Sequence, residues 1–228
     1  SGKNLNISPF ITERSEGISG YTDKEGLKTA FEMIYGYFTE PRIDDEIFES
    51  NIAKKLAAME NREDDPSFVF GDTIRKTLYG NNIRRNSNTV EQVKSINKER
   101  ALAIYKDRFA DASDFTFTIV GSITEEELKP YLEQYIATLP NIKRKEEAKD
   151  LGILEPTQGT TVVVNKGKED KSQVAMLYVG DFEYSEEENL AFDALESVLT
   201  IKLLERLREE ESGVYGVGAR GSTSKYPQ

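Results

Sequence analysis

Three runs concentrate carboxylates: Glu125-Glu126-Glu127, Glu186-Glu187-Glu188 and Glu209-Glu210-Glu211. Such runs could bind a cation or, with unequal pKa values, supply an acid and a base. Each lies at or near a predicted helix end, so solvated helix-terminal charge is the better account. Gly213, Gly216, Gly218 and Gly221 form a second cluster. They lack the Lys and the loop-to-helix context of a phosphate loop, and close backbone packing on a strand explains them better. The chain contains no His and no Cys. That excludes a Ser-His-Asp triad, a Cys-His pair, thiolate chemistry and any His-ligated zinc within it. A metal or acid/base site would have to be built from Asp and Glu alone.

The 228 residues are 37% apolar and 31% charged, with a formal net charge of −11. The basic residues are interspersed with acids, which argues against a nucleic-acid partner. No stretch approaches the roughly 18 uninterrupted apolar residues of a membrane span. With 11 Phe and 11 Tyr the chain can build a real core. It opens on Ser1-Gly2 without Met, which is expected of a cut or an expression scar rather than a natural start.

These residues must be positioned by alternating helical and extended segments. Residues 5–11 and 17–21 read as short strands. Thr22 and Glu25 are spaced as a capping box ahead of a helix through Phe38, ended by Pro41. Asp44 opens a second helix, Asp65-Pro66 a third that stops at Gly80, and Thr89/Gln92 a helical stretch to Phe109 that Asn97 recaps. Residues 115–120 alternate strictly, with Phe115, Phe117 and Ile119 on one face, and predict a half-buried strand. Thr124 and Glu127 form another capping box, with Pro130 awkward in the helix that follows. The charge run from Asn141 and then Pro156 read as an interdomain linker. Thr160–Val164 and Gln173–Val179 read as strands, Ser185 caps a helix to about Arg208, and Val214–Ser222 reads as a third strand. That last unit would be a half-covered sheet, so truncation is expected.

Three stretches, in this order, resemble a known family. They are Glu16–Gly20 with Tyr37–Asp44, Asp114–Gly121 continuing to Tyr135–Pro140, and Leu207–Val217. Together they resemble the C-terminal half of zinc metallopeptidases of the pitrilysin/insulin-degrading-enzyme (insulinase) family, most nearly the PqqL-like bacterial members. The resemblance implies an α+β fold of two incomplete pitrilysin-family domains, each an antiparallel-rich sheet with helices packed on it, LuxS/metallohydrolase-like. Residues 1–142 would be the latter part of the third domain, 143–158 the linker and 159–228 the beginning of the fourth.

It further implies a non-catalytic fragment of a zinc-dependent metalloendopeptidase. No cofactor is expected in this chain and no catalytic residue; zinc would sit in an N-terminal half carrying H-x-x-E-H. That half and a peptide or unfolded polypeptide would be the partners, with a dimer possible for the fragment alone. In an L-R-x6-Y pattern the family projects an Arg and a Tyr toward the zinc site, here Arg208 and Tyr215. From residue type alone, Arg near a helix C-terminus meets the helix dipole and Tyr on a strand packs. The alternative is a purely structural or peptide-binding member with no catalytic partner. Compartment is not legible; the resemblance points to the cell envelope.

Overall fold

A computed structural model describes residues 4–153, 156 and 158–225. Ser1, Gly2 and three residues of the linker reading, 154, 155 and 157, lie outside the described residues. The chain divides into two units, Ser1–Lys168 and Glu169–Gln228. Among the described residues the fold is α+β: mainly helices with one small antiparallel sheet.

In the first unit β1 (Leu5–Ile11) and β2 (Glu16–Thr22) form an antiparallel hairpin, with Leu5 opposite Thr22 and Ile11 opposite Glu16. This pairing disposes of the expected capping box at Thr22. Thr22 is the last ladder residue and cannot also cap a helix. Asp23 turns the chain instead, its Oδ1 accepting from the Gly26 amide at 2.8 Å, and α1 (Leu27–Thr39) starts four residues later than the capping pattern implies.

The other start signals act as expected. Asp44 caps α2 (Asp45–Met59), Asp65 caps α3 (Pro66–Tyr79) with Pro66 in its first turn, and Thr89 and Gln92 close both arms of a capping box on α4 (Val90–Lys94). Asn97 recaps the chain into α5 (Lys98–Arg108). Gly80 takes φ +58° to end α3, a left-handed conformation that costs glycine little. Thr124 and Glu127 make a second complete capping box on α6 (Glu125–Tyr131). Pro130 has no N–H to return to the preceding turn. Directly after it the helix widens into a π-helical turn, Leu132–Ile136, closed by Ala137 N–H on Leu132 O at 2.8 Å.

The core of this unit is aromatic. Phe38, Phe109 and Leu139 are buried at its centre, with Ile34, Tyr35, Tyr105 and Phe115 packed around them. Phe38 meets the rings of Phe109 and Phe115 edge-on at 5.3 and 5.0 Å, and Tyr105 stacks on Phe109 at 4.4 Å. Edge-to-face and offset pairs of this kind suit the ring quadrupoles. Residues 115–120 form no strand, because they gain no ladder partner among the described residues. Their alternation still directs the side chains: Phe115 and Phe117 both reach Phe38, whereas Val120 is 92% exposed.

Part of the charge run read as linker is fixed in place. Asp111, 0% exposed, accepts from Ser113 N, Ser113 Oγ and Ile142 N at 3.0, 2.7 and 3.2 Å on one oxygen, and from Arg144 N at 2.5 Å on the other. Burial pushes this carboxyl up, but those four donors outweigh it and hold it at about 2. The Arg144 side chain donates to Asp107 O at 2.7 Å and pairs with Glu146 at 2.9 Å. Arg108 joins Glu146, at 2.6 Å, to Glu16 on β2. Residues 141–146 are therefore latched to α5 and β2, and Lys143 is held at φ +54° within the latch.

In the second unit, the expected strands at 173–179 and 214–222 are extended segments without ladders, as is 160–164 in the first. Each carries strand-like composition. With no neighbouring strand among the described residues, side chains such as Tyr178, 86% exposed, face solvent.

Candidate functional site

Helix α7 (Glu186–Leu203) carries the Arg208 end of the candidate site. Ser185 caps it, its hydroxyl accepting from Glu188 N at 3.1 Å. The run Glu186–Glu188 occupies its first turn, where carboxylates complement the helix dipole. At Leu204 the helix widens into a second π-helical turn, Leu204–Glu210. Such local widenings recur at functional sites. Here it carries Arg208.

The third acidic run is neutralised locally. Arg206 pairs with Glu210 and Glu211, both at 2.6 Å, and Arg208 Nε lies 3.7 Å from Glu209. In the first run Glu127 accepts from its own cap residue, Thr124, and lies beside Lys24, which together lower its pKa. Among the described residues no group of three or more His, Cys, Asp or Glu side chains could hold a metal ion. The described residues thus do not fit a zinc site. Among the described residues no helix is long and apolar enough to cross a membrane.

After Glu210 the chain reverses. Ser212 adopts φ +50°, and Gly213 N–H closes on Leu207 O at 3.0 Å. The segment then runs back along one face of α7. Thr200 Oγ1 accepts from Ala219 N at 3.0 Å and donates to Ala219 O at 3.2 Å. Glu196 accepts from Gly221 N at 3.1 Å, and Thr223 donates to Asn189. Tyr215 stands between the reversal and these contacts, fully exposed. Arg208 is also exposed. The two flank the same reversal, but among the described residues no hydrogen bond joins them.

Sequence reasoning did not find Thr200, Glu196 and Asn189. Their signal is spacing alone: with Phe192 they recur every three or four residues and so share one face of α7.

A cleft of 440 Å³ lies beside α3 and α4 and includes Asp72, Lys76 and Gln92. Asp72 is buried and already paired, 2.7 Å from Lys76 and 3.7 Å from Arg75. Burial works against its charge, but Lys76, Ser87 and Arg75 prevail and lower its pKa. This carboxylate serves the fold.

Comparison with known proteins agrees with the resemblance read from the sequence. The family described as the peptidase M16 inactive domain matches residues 95–227, more than half of the chain. The chain is 25% identical over 194 residues to the probable zinc protease PqqL of Escherichia coli K12, covering 83% of this chain and 20% of that protein. It is 28% identical over 125 residues to the probable zinc protease PqqL of Haemophilus influenzae, covering 55% and 13%. A zinc protease PQQL-like protein of Arabidopsis thaliana is 28% identical over 116 residues, covering 50% and 12%. The chain therefore spans a fifth or less of the curated relatives it matches. On the match to its inactive domain, the chain belongs to the peptidase M16 family.

Proposed function

We propose that this chain is the non-catalytic, substrate-contacting part of a zinc-dependent endopeptidase. It would work against a His-containing half that holds the metal. The observation that carries this reading is the match to the family's inactive domain in a chain without a single His. Residues 1–142 and 159–228 are then two partial copies of one domain type, joined at 143–158. Arg208 donates to a carbonyl or carboxylate of a bound peptide and holds it in register. The Tyr215 hydroxyl donates to the oxygen on which charge develops as the peptide bond is attacked. The exposure of both side chains supports this assignment, since neither is consumed by packing.

The experiment is peptide cleavage by the whole protein. Tyr215→Phe is expected to lower kcat by about 100-fold with KM little changed, as loss of an oxyanion donor does. Arg208→Ala is expected to raise KM by about tenfold, equivalent to about 1.4 kcal/mol of binding. Unchanged kcat/KM in both variants would favour a scaffold without a catalytic partner. The unladdered apolar segments of the chain by itself are also expected to drive self-association; a mass by light scattering that stays monomeric at every concentration argues against that.

A further inference from the structure

Two geometric facts set where Tyr215 stands. The near end of its segment is tied by Gly213 N–H to Leu207 O at 3.0 Å. The far end is tied by the two-way bond between the Thr200 hydroxyl and Ala219, at 3.0 and 3.2 Å. Among the described residues, no backbone hydrogen bond holds Val214–Gly218 between these ties. Tyr215 is thus carried on a short arch whose register depends on its two feet.

The far foot is keyed to the helix. Four residues of α7, from Glu196 to Thr200, advance about 6 Å, and two residues of extended chain advance about 6.6 Å. Thr200 on Ala219 and Glu196 on Gly221 therefore fall into step. Gly221 adds a steric key: a Cβ there would lie 2.2 Å from the Phe192 ring, which itself packs on Phe182 at 5.8 Å. A side chain at that point would have to displace the ring. A slip of one residue would break the Thr200 pair, set a side chain against Phe192 and turn Tyr215 to the opposite face, because extended chain alternates faces.

We propose that Thr200 is a positioning residue for Tyr215, holding the register of the segment that presents the phenol. This rests on the role proposed above for Tyr215, and the test separates the two. In the 228-residue chain, amide exchange at Ala219 is expected to speed up in Thr200→Val and to stay near wild type in Thr200→Ser. Unchanged exchange in Thr200→Val overturns the tie itself. In the whole peptidase, Thr200→Val is expected to lower kcat about tenfold or more with KM within about twofold, since small misplacements of a reacting group are costly. Thr200→Ser should restore kcat, and Thr200→Val should add nothing when Tyr215 is already Phe. An equal loss on the Tyr215→Phe background would show that Thr200 does not act through Tyr215. A wild-type rate for Tyr215→Phe alone would remove the role of Tyr215 and positioning with it, while the exchange result would still report whether the tie exists.

Discussion

Asp111 shows how a single residue can fix a segment. Its four donors come from Ser113, Ile142 and Arg144, so one carboxylate closes the end of α5 onto residues 30 or so further along. The group titrates near 2, below its ordinary 3.8. A depressed carboxyl adds stability above its unfolded pKa and loses it as pH falls through its folded pKa. Urea midpoints measured across acid pH should therefore fall between about pH 4 and pH 2, and Asp111→Asn should flatten that slope. An identical slope in the variant would contradict the linkage. Phe109, 0% exposed at the centre of the aromatic core, is the second residue with a sharp expectation. Phe109→Ala should destabilise the first unit by about 3–5 kcal/mol, read as a lowered denaturation midpoint. Phe109 was legible in the sequence only as the end of the helical stretch that Asn97 recaps. Asp111 was not, because its partners lie far along the chain and no local pattern marks them.

Helices were legible in the sequence wherever a side chain closes its own start. Asp44, Asp65, Thr89, Asn97, Thr124 and Ser185 are all caps in the structure, each bonded within three residues. The failures are non-local. Thr22 looked like a cap and is a ladder residue, since β1 claims it. Residues 115–120 looked like a strand and have the side-chain alternation of one without the ladder, because a strand needs a partner that composition does not supply. The run 141–146, read as linker, is latched: Arg144 pairs with Asp107, Glu146 with Arg108, and the amides of Ile142 and Arg144 donate to Asp111. Limited trypsinolysis reads this directly. Among the basic residues 143–149, cleavage should come first after Lys149. Asp111→Ala should speed cleavage after Lys143, Arg144 and Lys145 about tenfold or more, since opening the latch exposes them. Equal rates in wild type and variant would mean that the latch is not closed in solution.

For the whole molecule, what matters is what the chain lacks and what it presents. It has no His, Glu127 closes a capping box, Glu209, Glu210 and Glu211 lie in local ion pairs, and it presents Arg208 and Tyr215 at one chain reversal. Those two residues were legible only through a family pattern; their residue types and spacing carry no chemistry of their own. Their joint presentation depends on a π-helical turn, a left-handed Ser212 and the Thr200 tie, none of which a local pattern announces. The most direct test is peptide turnover by this chain alone, by the His-containing half alone and by the two mixed. Turnover that arises in the mixture, with the chain alone inert at any zinc concentration, is the expected result. Cleavage by the chain alone, or a mixture no faster than the His-containing half by itself, would contradict the assignment of this chain as the non-catalytic, substrate-contacting part.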